Sequence, residues 1–182
     1  MAAPSKAVAP IPSSLSFVQA AVLPLAISTA SAGLYLPDRL ALPLPSATSP
    51  GPDKNKTILI WGASSSVGCI AVQLATASGI TVFATASPRN FDFVRSLGAA
   101  QVFDYSKPDV VNDIIDALKG TELVGAYDVV GSPATVKKSA EVVKAIRGEG
   151  FVASTLVPPK DLPDGIASEY GTVFSCYRFF GV

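Results

Sequence analysis

From Thr57 onward, short apolar and β-branched runs alternate with longer stretches whose apolar positions recur every three or four residues. The short runs predict strands at Thr57–Trp61, Thr81–Thr85, Gln101–Phe103, Tyr127–Val130, Gly150–Ser154 and Tyr177–Val182. The longer stretches predict helices. Val67–Ser78 carries Val67, Ile70, Ala71 and Leu74 on one face, and Asn90–Leu97, Asp109–Leu118 and Ala134–Ile146 follow. Gly79, Gly98, Gly120 and Gly148 stand where these helices should end, and Pro108 and Pro133 precede the last two. Strands alternating with helices form βαβ units, and six of them predict a doubly wound α/β fold: a parallel sheet in the order 3-2-1-4-5-6 with helices on both faces.

The pattern ahead of Thr57 is different. Residues 1–14 read as a flexible lead-in and 15–56 as a joining helix followed by a connection carrying Pro37, Pro43, Pro45, Pro50 and Pro52; residues 57–182 form the domain proper. No residue from Ala7 to Leu36 is charged and Lys6 precedes the run, so an export signal or a membrane span has to be weighed. Pro10, Pro12 and Pro24 interrupt it, and Ser13, Ser14, Ser16, Gln19, Ser28, Thr29 and Ser31 dilute it. A buried helix, or a helix pair broken near Pro24, is therefore expected, with no membrane partner.

Composition narrows the chemistry. With 49% hydrophobic and 15% charged residues over 182 positions, the chain can bury a sizeable core, and 14 basic against 14 acidic residues leave no footprint for nucleic acid. Cys69 and Cys176 form no disulfide framework or metal-ligand spacing, which points to a reducing, cytoplasmic setting. The absence of histidine rules out a serine–histidine triad and removes the commonest zinc ligand. Trp61, Cys69, Phe91, Phe93 and Phe103 read as packing residues or adenine-pocket lining, and no catalytic or metal-binding residue is assigned.

The most informative segment is Ile58-Leu59-Ile60-Trp61-Gly62-Ala63-Ser64-Ser65-Ser66-Val67-Gly68, a buried strand, a tight glycine turn and a helix start. A helix N-terminus offers unpaired amides and a positive dipole end, and glycine lets a diphosphate approach closely, which is how a Rossmann domain holds a dinucleotide. Gly62, Ser64, Ser65, Ser66, Val67 and Gly68 are thus candidate phosphate neighbours, with the Ser65 hydroxyl expected to donate to a phosphate oxygen. The second strand ends without the acid that would take the ribose 2′-hydroxyl of NAD; Ser87, Arg89 and Asn90 instead suit the 2′-phosphate of NADP(H). Ser87 also reads as a helix cap ahead of Pro88. Asp104 and Tyr105 follow the third strand where adenine would lie, and Gly131, Ser132, Ser154, Thr155 and Leu156 end the fourth and fifth strands where the nicotinamide ribose would lie.

Trp61-Gly62-Ala63-Ser64-Ser65-Ser66-Val67-Gly68, with Gln73-Leu74-Ala75, Thr85-Ala86-Ser87-Pro88, Ser96-Leu97-Gly98-Ala99 and Val102-Phe103-Asp104-Tyr105, resembles the cofactor domain of medium-chain dehydrogenase/reductases. The resemblance is to the zinc-type alcohol dehydrogenase-like branch, including fungal trans-acting enoyl reductases and quinone-oxidoreductase-like enzymes. It implies hydride transfer from NADPH to an activated C=C or C=O of a small substrate. Leu23–Ala30 resembles the helix joining the two domains of such enzymes, which makes Thr29 a candidate nicotinamide neighbour. By the same resemblance, Lys6-Ala7-Val8-Ala9-Pro10 matches the end of a GroES-like catalytic domain that is otherwise missing, and Val182 stops on a strand. The expectation is an excised or truncated cofactor domain that binds pyridine nucleotide without turnover by itself, any zinc ligands lying in the missing part. A free-standing, non-catalytic NADP(H)-binding module is the alternative, and a homodimer stays open.

The glycine turn also resembles that of short-chain dehydrogenases, whose catalytic tyrosine is followed four positions later by lysine. Here Tyr35, Tyr105, Tyr127, Tyr170 and Tyr177 are followed by Arg39, Asp109, Gly131, Phe174 and Gly181, so the acid–base pair is missing. A methyltransferase is disfavoured for want of an acid after the second strand.

Overall fold

Two apolar helices lead into the sheet. The structure, a computed structural model, describes residues 10–45 and 53–171. Helix α1 (Phe17–Ala21) starts on Ser16, whose hydroxyl accepts from the Gln19 amide while the Gln19 side chain accepts from the Ser16 amide. Helix α2 (Leu23–Tyr35) follows after Val22, so the expected break comes just ahead of Pro24, which sits in the first turn where its missing N–H costs nothing. The chain then alternates β1 (Asp53–Trp61), α3 (Ser66–Ala77), β2 (Ile80–Ala86), a single 3₁₀ turn at Pro88–Asn90, α4 (Phe91–Ser96), β3 (Ala99–Asp104), α5 (Val110–Leu118), β4 (Glu122–Asp128), α6 (Pro133–Arg147), β5 (Gly150–Ser154) and β6 (Ile166–Tyr170).

All six strands are parallel and run in the order β3-β2-β1-β4-β5-β6, as the alternating pattern predicts. The segment Tyr177–Val182 lies outside the described residues; the sixth described strand is Ile166–Tyr170, last in the described order and buried only at Ile166. β4 starts five residues before the expected Tyr127 and ends at Asp128, so Val129 and Val130 belong to the following bend. Register shifts break the pairing toward the amino ends of β1 and β2, at Asp53/Thr57, Thr57/Ile58 and Val82/Phe83, but beyond them it is regular, so Phe103, Thr85, Trp61, Asp128, Ser154 and Tyr170 form one row at the carboxyl edge.

Alternation along β1 feeds two cores. Ile58 and Ile60 face α2, α3 and α4, packing with Leu34, Ala71, Val72, Ala75 and Val94; Leu59 and Trp61 face α5 and α6, packing with Val110, Ile114, Leu118, Val136 and Ala140. α2 lies against α3 and β5 and buries Ala26, Thr29, Ala30, Ala32, Gly33 and Leu34. Gly33 permits this: a Cβ there would stand 2.5 Å from Cζ of Tyr127, a fully buried ring whose hydroxyl donates to the Thr29 carbonyl at 2.8 Å.

The expectation of a buried helix pair holds only for the latter part of α2. α1 has no buried residue, and Phe17, Val18 and Leu25 are 84%, 81% and 65% exposed. Phe17–Tyr35 is 19 residues long and apolar enough to cross a membrane by length and composition alone, with 33% of it buried in the fold. The tertiary contacts explain the difference, since α2 reaches the sheet only from about Ala26 onward.

The tight fit at Gly33 makes it a sensitive position. Gly33→Ala should destabilise the fold by about 1–3 kcal/mol through overpacking against the Tyr127 ring, outweighing the helix-propensity gain of alanine. Chemical denaturation of both proteins checks this, and an unchanged or higher midpoint for the variant would contradict it.

Candidate functional site

The row at the carboxyl edge is where the strand order reverses, between β1 and β4, and a parallel sheet presents its ligand crevice at such a point. Gly62 turns the chain out of β1 with φ at 87°, a conformation open to glycine and strained for side chains. The turn is then closed by neighbours. The Gly62 amide donates to the Thr85 hydroxyl at 3.0 Å, the Ala63 amide to the Thr85 carbonyl at 2.9 Å, and the Ser65 amide to the Gly62 carbonyl at 3.1 Å.

Ser65 is the N-cap of α3. Its hydroxyl accepts from the Gly68 amide at 3.1 Å and donates to the Gly62 carbonyl at 3.0 Å. The hydrogen expected to serve a phosphate oxygen is here given to the turn itself. Gly68 serves close packing: a Cβ there would stand 2.5 Å from the Gly62 carbonyl oxygen and 2.8 Å from Ala63. Among the amides the turn leaves free are those of Ser66 and Val67, the first two of α3, which find no acceptor among the described residues. Exposed Ser66 and half-buried Ser64 carry their hydroxyls beside them. Those amides, at the positive end of a twelve-residue helix, make a cradle for an anion.

The other sequence-predicted residues fall on the same edge in two groups. After β2, Ser87 leads into the 3₁₀ turn as expected, yet its hydroxyl caps no amide; it accepts from the Asn90 side chain at 3.1 Å, which keeps its own hydrogen for a further acceptor. Arg89 is exposed and its guanidinium has no partner among the described residues. Tyr105, 45% exposed, follows β3, while Asp104 turns back to accept from the amide and hydroxyl of Ser106, which hold its carboxyl below the usual carboxylate range.

On the far side of the switch point the hydroxyls are engaged. Ser132 caps α6 by accepting from the Thr135 amide, Ser154 accepts from the Leu156 amide at 3.3 Å, and Thr155 donates to the Val129 carbonyl at 3.1 Å. Gly131 is pressed against Leu156, whose Cβ would lie 2.8 Å from one added to Gly131. These residues hold the loops, and the exposed side chains left beside them are apolar: Val130, Leu156 and Val157 at 46%, 58% and 68% exposure. Thr29 is buried on α2 beside Tyr127, and its carbonyl is the acceptor for that tyrosine.

Two residues outside the sequence-predicted set organise this edge. Thr85 holds the glycine turn, as above. Asp128, fully buried at the end of β4, accepts from the amides of Val130 at 2.9 Å and Gly131 at 2.8 Å and from the Ser139 hydroxyl at 3.5 Å. The signal for it was an acid placed directly after the apolar run Leu123–Tyr127, where only a partnered carboxylate can sit. Burial pushes its carboxyl above the ordinary value of 3.8, against the opposing pull of these hydrogen bonds. A raised carboxyl stabilises the fold fully below its unfolded value and loses that contribution as pH rises through the folded value. Asp128→Asn should therefore gain stability relative to the wild type between about pH 4 and neutrality; a melting-temperature difference that does not change with pH would refute the assignment.

Comparison with known proteins gives this edge its context. A dehydrogenase of Aspergillus niger is 45% identical over 167 residues, covering 88% of this chain and 47% of that protein. A trans-enoyl reductase of Aspergillus japonicus is 46% identical over 163 residues, covering 90% and 46%. Among solved structures, an alcohol dehydrogenase superfamily protein from Novosphingobium aromaticivorans superposes with a TM-score of 0.63 at 30% identity, over 87% of this chain and 44% of that one. The chain thus spans about half the length of the curated relatives it matches. The profile described as zinc-binding dehydrogenase matches residues 66–163, from the first free amide of α3 to the loop before β6, and the chain belongs to that family.

Proposed function

We propose that this chain is the NADP(H)-binding domain of a cytoplasmic oxidoreductase that transfers hydride from NADPH to an activated C=C or C=O bond of a small substrate. The observation that carries the reading is the pair of unpaired Ser66 and Val67 amides at the start of α3, beside a turn whose two glycines let the strand, the helix and the loop after β4 pack closely. Relatives named as dehydrogenases and trans-enoyl reductases support the reaction class.

The residues present fit the dinucleotide. The amides of Ser66 and Val67, with the hydroxyls of Ser64 and Ser66, would hold its diphosphate, and Gly62, Ser65 and Gly68 keep the cradle open and rigid. Ser87, Arg89 and Asn90 would take the 2′-phosphate, the guanidinium by charge-assisted hydrogen bonds and Ser87 through its uncommitted hydrogen. Tyr105 would flank the adenine. On the other side, Thr29, Gly131 and Thr155 would border the nicotinamide, with Val130, Leu156 and Val157 excluding water from it. The bound reduced nicotinamide supplies the hydride; this chain's residues bind and orient it.

The residues do not fit the zinc of the family's description. The sequence has no histidine, and among the described residues no three Cys, Asp or Glu side chains gather at one point. No step is assigned to a metal here.

Calorimetric titration with NADPH and NADH tests the reading. NADPH should bind more tightly, and Arg89→Ala should weaken it by about 1.5–3 kcal/mol while leaving NADH nearly unchanged, as one charged hydrogen-bonding partner is lost. Equal weak heats for both nucleotides, with a silent Arg89→Ala, would defeat the coenzyme assignment.

A further inference from the structure

Asp128 has no part in the binding scheme above, yet two loops of the crevice converge on it. One carboxylate oxygen gathers the amides of Val130 and Gly131, the other faces Ser139 on α6, and the backbone carbonyl accepts from the Thr155 amide at 3.2 Å. The loop after β4 and the loop after β5 are thereby tied to a single residue.

The contacts that follow set the crevice. With its amide drawn inward, Val130 lays a methyl group where a Cβ on Gly62 would be only 2.6 Å away, so the loop after β4 rests directly on the glycine turn. Gly131, drawn inward in the same way, rests against Leu156. Two amides that would otherwise be free to turn toward the crevice point instead into the protein, and the wall presents side chains. A buried carboxylate is a costly way to end a strand, and it is tolerated because several donors converge on it.

We propose that Asp128 is a positioning residue for the nicotinamide half of the dinucleotide: by holding the Val130 and Gly131 amides, it fixes the apolar wall on the β4–β5 side of the switch point and leaves the adenosine half untouched. This rests on the dinucleotide reading above. The residues after β2 serve the other half, and no hydrogen bond of the Asp128 side chain reaches them; the glycine turn of the diphosphate meets Asp128 only through the Val130 methyl group.

The test titrates wild type, Asp128→Ala and Asp128→Asn with NADPH and with adenosine 2′,5′-bisphosphate, which fills only the adenosine half. Circular dichroism at the titration temperature verifies that each protein is folded. Asp128→Ala should weaken NADPH by about ten-fold or more, as two loop amides lose their acceptor, and leave the bisphosphate within about two-fold. Asp128→Asn, whose side-chain oxygen can still accept from both amides, should stay within about three-fold of wild type for both ligands. Hydrogen exchange at Val130 and Gly131 should speed up in the alanine variant and not in the asparagine variant. Unchanged NADPH affinity in Asp128→Ala overturns the proposal, as does an equal loss for both ligands or an asparagine variant as weak as alanine. A wild type that binds neither ligand overturns the dinucleotide reading and this inference together.

Discussion

Close contact between the start of α3 and the end of β1 is the constraint on which the carboxyl edge depends. Gly68 lies so near the Gly62 carbonyl that the helix begins almost on top of the strand, and a side chain at that position would push it away. Around this contact the turn meets its own needs: Thr85 takes the Gly62 amide, and Ser65 bridges the Gly62 carbonyl and the Gly68 amide. A turn held by such bonds has less ordering left to oppose binding. The amides of Ser66 and Val67, without an acceptor among the described residues, are left facing outward.

The same division between holding and facing outward runs along the edge. Ser132, Ser154, Thr155 and Asp104 look like ligand-binding side chains in a list of polar residues, but Ser132, Ser154 and Asp104 are engaged within their own loops and Thr155 with the loop after β4. Buried or half-buried polar groups find partners because leaving one unpaired costs more than a typical hydrogen bond contributes. The outward surface is then left to backbone amides, a few exposed side chains such as Arg89 and Tyr105, and the apolar group of Val130, Leu156 and Val157. Such a surface accommodates an anion at one point and a flat, weakly polar ring at another.

The two faces of the sheet are covered unequally. α5 and α6 bury one side with strongly one-sided helices, while the other side relies on α3, α4 and a helix from before the domain, α2, which reaches the sheet through small residues. Gly33 and Ala30 let α2 come close to the Tyr127 ring, and the hydrogen bond from Tyr127 to Thr29 fixes its position. The segment preceding the domain is thus part of its core at one end, while at the other, from Phe17 to Leu25, it exposes large apolar side chains.

The sequence by itself determined the first five strands with the helices between them, the parallel sheet and the place of the glycine turn, because these follow from local periodicity and from where glycine and proline stand; the strand Ile166–Tyr170 carries no such pattern. Helix ends fell within a residue or two of the expected positions, since Gly79, Gly98, Gly120 and Gly148 do take positive φ. The tertiary structure decided which polar groups are spent. Ser65 closes its turn with partners three residues away, but that Thr85 holds Gly62, and that the loop after β5 is tied to Asp128 through the Thr155 amide, depend on strands distant in sequence lying side by side. A hydroxyl or carboxylate in a sequence is a donor or acceptor without direction, and only the neighbour that folding brings within about 3 Å determines whether it faces a ligand or the protein.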